Sequence, residues 1–149
     1  MSEKKQHWET VFTTKAENEV SWYQNEPKTS IQLIQACKVL KDAKIIDMGG
    51  GDSYLIDSLL DLGYTNLFLL DISAAAIERA KKRLGDKAKQ VTFIVSDSLH
   101  FQSNEKFDVW HDRASFHFYT EANDIEQYKK NVVANTNQTG HLIIGTLSD

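Results

Sequence analysis

Four aspartates set the chemistry this chain can attempt. Asp47, Asp71, Asp97 and Asp112 each stand at or just past the end of a short apolar run, in "KIID", "LFLLD", "FIVSD" and "FDVWHD". Ionised carboxylates only accept hydrogen bonds, and they attract cations. Gathered at one edge, they would line a crevice for a ligand that carries hydroxyls or positive charge. Any one of them could be an ordinary helix cap or turn residue, but four in succession favour the crevice. The first is followed by glycines in the pattern D-x-G-x-G, formed by Asp47, Gly49 and Gly51. A strand that empties into such a turn and then a helix is where α/β folds hold nucleotides.

The spacing in "KIIDMGGGDSYL" narrows the nucleotide. A dinucleotide turn needs G-x-G-x-x-G, and counting from Gly49 the third glycine is replaced by Tyr54. No Gly-Lys-Ser/Thr follows, so the turn is not a P-loop. An acidic residue two places before the first glycine would repel a pyrophosphate. It suits a ligand whose near end carries an ammonium and a sulfonium, as S-adenosylmethionine does. On this reading Asp71, 24 residues after Asp47, accepts both ribose hydroxyls. Asp97 and the backbone of Ser98 then meet the adenine edge.

These residues need elements that bring them to one edge, and the chain alternates accordingly. "TSIQLIQACKVL", "SYLIDSLLDLG", "SAAAIERAKKRLG" and "EANDIEQYKKNVVANT" have helical apolar spacing; "AKIID", "NLFLLD", "VTFIVSD", "FDVWHD" and "HLIIGT" read as strands. Ser73 is placed to cap the third helix, and Gly63 and Gly85 to end the second and third. Strands that are nearly all apolar are covered on both faces by helices. The expected fold is a three-layer α/β domain with a mainly parallel sheet and right-handed crossovers. A chain of 149 residues with 41% hydrophobic and 26% charged residues makes one such domain rather than two. No apolar run reaches the ~20 residues needed to cross a bilayer, and "MSEKKQHWET" has no apolar segment behind its lysines. The expectation is a cytoplasmic protein that does not engage a membrane.

Other reactive residue types have plainer readings. Cys37 lies at an apolar helical position and reads as a buried structural thiol. Arg79, Lys81, Lys82 and Arg83 read as a solvated helix face, with Glu78 placed to pair with Lys82 at i,i+4. With a net charge of −4, nucleic-acid binding is not expected. His100, His111 and His117 lack metal-ligand spacing, and no metal site is expected.

In order and spacing the motifs resemble the class I S-adenosylmethionine-dependent methyltransferases. "IIDMGGGDS", "LLDIS", "VSDSL" and "FDVWHDRASFHF" correspond to the family's first four motifs, and the likeness runs from about residue 7 to the last residue. The nearest branch holds thiopurine methyltransferases and the lysine methyltransferases of translation elongation factor. The resemblance implies a Rossmann-like sheet of five strands in order 3-2-1-4-5, with S-adenosylmethionine as methyl donor and S-adenosylhomocysteine as product. It places Ile72 beside Asp71 at the cofactor, and implies that residues 1–28 fold over it through Trp8, Phe12 and Trp22. His111 falls where it could touch both cofactor and acceptor; His111, Asp112, Arg113 and His117 are the candidate acceptor pocket, with Phe116 a further aromatic near the sulfur. Asp112 and Arg113 could equally be a local ion pair that orders the loop.

Relatives of this kind usually add an antiparallel hairpin after the fifth strand, and this sequence ends at "HLIIGTLSD". The expectation is either a shortened form or a homodimer that covers the last strand, since an exposed edge invites pairing. The acceptor is a small molecule or a protein lysine. Two alternatives stay open: a cofactor-binding module that does not turn over, and a nicotinamide-dependent oxidoreductase, which Tyr54 disfavours.

Overall fold

The computed structural model describes residues 28–112 and 121–144. Its strands are β1 (Lys44–Met48), β2 (Asn66–Asp71), β3 (Val91–Val95), β4 (Phe107–Asp112) and β5 (Thr136–Ile144). They form one sheet in the order β3-β2-β1-β4-β5, with every neighbouring pair parallel. The helices are α1 (Lys28–Ala36), α2 (Leu55–Asp61), α3 (Ala74–Leu84) and α4 (Ala122–Asn135), and a short 3₁₀ helix spans Gly85–Gln90.

Alternation along the strands builds two cores. Ile45, Leu67, Leu69 and Val109 pack with Ile34 of α1, Leu55 and Leu59 of α2, and Ile77 and Leu84 of α3. Ile46, Met48, Phe68, Leu70 and Trp110 point to the other face, where Phe101 and Tyr128 and Val132 of α4 cover them. Because strand side chains alternate, the same rule decides which layer each polar residue enters at the strand ends.

Local chemistry sets the helix boundaries. Ser73 Oγ accepts from the Ala76 backbone N–H at 3.1 Å, as an N-cap should. Gly63 has φ +96, and the bonds Tyr64 N to Leu59 O and Gly63 N to Leu60 O close α2 in a Schellman arrangement. α1 is shorter than its apolar pattern predicts. It ends at Ala36, and Lys38 turns the chain away with φ 56. Cys37 therefore sits past the helix, only partly buried, and its thiol, pushed up from its usual pKa by that burial, donates to Leu33 O at 3.3 Å.

β5 starts earlier than "HLIIGT" suggests, at Thr136, and its register on β4 shifts between Phe107 and Val109. Thr146, where the sequence pattern ends this strand, lies outside the described residues. So do Trp8, Phe12, Trp22, Arg113, Phe116 and His117. Among the described residues β5 is an edge strand, with Leu142 and Ile144 exposed. No described helix is long and apolar enough to cross a membrane.

Candidate functional site

Parallel register carries the carboxylates to one edge. Asp47 and His111 are partners across β1 and β4, and Met48 aligns with both Leu70 and Asp112. Asp71 closes β2 opposite Val95, and Asp97 lies two residues past β3. Asp47, Asp71, Asp97 and Asp112 are all buried at this carboxyl edge.

The glycine turn wraps the first two. Gly49, at φ 71, donates its N–H to Leu70 O at 2.7 Å and so turns the chain across β2. A Cβ on Gly50 would lie 2.0 Å from Asp47 Oδ2, and one on Gly51 would meet Ala76 Cβ at 2.6 Å and Asp71 Oδ2 at 2.9 Å. Backbone alone fits there. Asp71 accepts from Gly51 N at 3.0 Å through Oδ2 and from Ser73 N at 2.9 Å through Oδ1. Burial nevertheless pushes its pKa up to about 7: desolvation outweighs these two bonds, and Asp52 and Asp47 add repulsion. Ile72 follows directly and is partly buried.

Asp47 makes the other fixed point. His111 Nδ1 donates to its Oδ1 at 2.9 Å, since a carboxylate can only accept. His111 Nε2 lies 2.7 Å from Ser30 Oγ, which ties α1 to the strand ends. Asp47 Oδ2 is buried with no hydrogen-bond partner among the described residues. A buried acceptor without a donor is rare, and it is an arrangement into which a cationic ligand group fits.

At the third strand, Asp97 accepts from the His100 N–H at 2.6 Å and lies 2.9 Å from His100 Nδ1. Asn131 of α4 donates to the carbonyls of Ser98, at 2.7 Å, and Leu99, at 2.5 Å, and so holds this loop. Asp112 is placed differently from His111. Its Oδ2 accepts from Tyr128 Oη at 2.6 Å, and Tyr128 Oη accepts in turn from Trp110 Nε1 at 2.9 Å. Strand alternation thus sends Asp112 into the α4 layer and His111 into the α1 layer. The two residues, both placed in the acceptor pocket by resemblance, lie on opposite faces of the sheet.

Four participants escaped the sequence reading: Ser30, Asp52, Arg79 and Arg83. Arg79 pairs with Asp52 through two bonds of 3.0 Å, and Arg83 pairs with Asp57 and the turn backbone. The face read as solvated is therefore split: of its four basic residues, Lys81 and Lys82 are exposed, while Arg79 and Arg83 are partly buried. Glu78 pairs with Lys81 at 3.2 Å, one position short of the predicted Lys82. The partners of Ser30, Arg79 and Arg83 lie 26 or more residues away, and no local pattern announces them. Among the described residues no cluster of His, Cys, Asp and Glu could hold a metal ion.

A parallel sheet in this order, with a glycine turn after β1 and carboxylates at the ends of β1, β2 and β3, defines a Rossmann-like fold. A family model described as a methyltransferase domain matches residues 40–148, and the chain belongs to that family. It is 27% identical to the eEF1A lysine and N-terminal methyltransferase of Mus musculus over 101 residues, 64% of this chain and 14% of that protein. The Homo sapiens counterpart is 26% identical over the same share of this chain and 13% of its own. The chain thus spans about a seventh of the curated relatives it matches. Its fold is shared with the glycopeptide N-methyltransferase MtfA complexed with sinefungin, at TM-score 0.71 and 18% identity, covering 83% of this chain and 54% of that one. A SAM-dependent methyltransferase from Thiobacillus denitrificans in complex with S-adenosyl-L-homocysteine matches at TM-score 0.65 and 21% identity, covering 80% and 48%.

Proposed function

We propose that this domain binds S-adenosylmethionine at the carboxyl edge of its sheet and transfers the methyl group to an amine, either on a small molecule or on a protein lysine. The observation that carries the reading is the pairing of Asp71, held between Gly51 and Ser73, with the unpartnered Oδ2 of Asp47 beneath the same glycine turn. Asp71 accepts the ribose hydroxyls and Asp47 faces the ammonium, while the loop at Asp97 and Ser98 frames the adenine. The amine acceptor is supported by the curated relatives, whose name specifies lysine and N-terminal methylation.

The bound cofactor supplies an activated methyl, so the residues of this chain align, enclose and exclude water. Orientation of this kind is worth about 7–11 kcal/mol in model reactions. The glycine turn lets backbone approach the ligand without side-chain interference. An ammonium acceptor must lose a proton before attack; His111 and His117 are the candidates to take it, whereas the guanidinium of Arg113 stays protonated and serves only to orient the acceptor. Trp8 and Trp22 are proposed to cover the cofactor.

Calorimetry tests the reading. S-adenosylmethionine and S-adenosylhomocysteine should both bind, and Asp71→Ala should weaken each by about tenfold or more, the loss of a bidentate charged contact. Absence of binding to the unsubstituted chain would end the proposal. A second reading, a cofactor-binding module that needs further chain or a partner to turn over, is favoured by the partial match to the relatives. Methylation of any acceptor by this chain alone, in a labelled-methyl assay, would exclude it.

A further inference from the structure

Arg83 reaches from α3 into the glycine turn and grips it from several sides. Nη2 donates to Ser53 O at 2.9 Å and Nη1 to Gly51 O at 3.3 Å. Nε and Nη2 also bond the Asp57 carboxylate at 2.9 to 3.2 Å, and the guanidinium lies 4.9 Å from the centre of the Tyr54 ring. The planar fork of arginine can make these bonds at once, which a lysine ammonium cannot. Gly51 is held at its other end as well, because its N–H donates to Asp71 Oδ2. One residue of the turn thus links the guanidinium of α3 to the carboxylate at the end of β2.

We propose that Arg83 is a positioning residue for the cofactor: it fixes Gly51 so that the Gly51 N–H stays on the Asp71 carboxylate, and thereby sets how readily that carboxylate takes a ribose diol. The inference rests on the function proposed above. Asp71 is faced by the N–H groups of Gly51 and Ser73, by Asp47 of β1 with His111 behind it, and by Asp52, itself paired with Arg79. In this anionic and sealed setting, among the described residues, the N–H groups of Gly51 and Ser73 favour the ionised carboxylate. Removing the Gly51 N–H raises the pH at which Asp71 ionises.

Two readouts test this on the full chain: binding of S-adenosylhomocysteine by calorimetry, and urea unfolding without ligand, each across about pH 5 to 9. Arg83→Met should weaken binding about tenfold near neutral pH and move the pH midpoint of binding upward relative to the unsubstituted protein. The ligand's own titration is common to both proteins and cancels. Arg83→Lys should fall between them. Lys87→Met, which removes the exposed 3.1 Å pair with Asp61 between the 3₁₀ helix and α2, should leave both readouts unchanged. A purely structural role predicts lower stability with the same pH midpoint and a Kd within about twofold; that result in Arg83→Met, or in Arg83→Lys if the Met variant does not fold, overturns the inference. If the unsubstituted protein binds no cofactor, the functional reading fails separately. The unfolding series then decides: the acid-to-neutral fall in stability should extend to higher pH in Arg83→Met, and an unshifted fall overturns the role assigned to Arg83.

Discussion

Asp71 shows how a single residue's environment couples stability to binding. Its folded pKa of about 7 lies above the ordinary carboxylate value of 3.8, so between these values the folded state holds a proton that the unfolded state has released. Stability from this group is fully present below about pH 4 and is lost as pH rises through about 7. The slope approaches 1.4 kcal/mol per pH unit within that window. Asp71→Asn should abolish this slope, measured as urea unfolding free energy against pH. A slope unchanged in the variant would mean that another group carries it. The same titration bears on the ligand, since ribose hydroxyls donate to the ionised carboxylate.

At the scale of elements, helices clamp the described segments around the crevice. α3 holds the glycine turn through Arg79 and Arg83, α4 holds the loop after β3 through Asn131, and α1 holds His111 through Ser30. α3 is itself started by Ser73, whose hydroxyl caps Ala76 N and whose N–H donates to Asp71. Ser73→Ala removes the cap but keeps the backbone donor. It should therefore lower stability by about 1 kcal/mol in chemical denaturation while leaving cofactor affinity nearly unchanged. A large loss of affinity would show that the start of α3 needs its cap to keep Asp71 in place.

For the whole molecule, a ligand that seats on three strand ends and the turn between them ties together segments distant in sequence. Saturation with S-adenosylhomocysteine at about one hundred times its Kd should stabilise the fold by about 2.7 kcal/mol. The gain is read as a rise in the urea midpoint. Hydrogen exchange should slow most at residues 49–53 and 71–73, and protection spread evenly over the sheet would argue against this edge as the site.

Local patterns along the chain were enough for the layers and the turn, and resemblance for the strand order. Apolar alternation, capping residues and glycine spacing are local signals, and Asp47, Gly49, Gly51, Asp71 and Ser73 announce themselves through neighbours a few positions away. Tertiary structure decided what depends on distant partners or on which face a strand residue takes. It sent Asp112 to Tyr128 and His111 to Ser30, 81 residues away. It turned two arginines of an apparently solvated face onto the glycine turn, and it buried Asp71 deeply enough to raise its pKa. The physical reason is common to all three. Burial and pairing are set by the packing of whole elements, whereas periodicity records only the side of each element that faces the core.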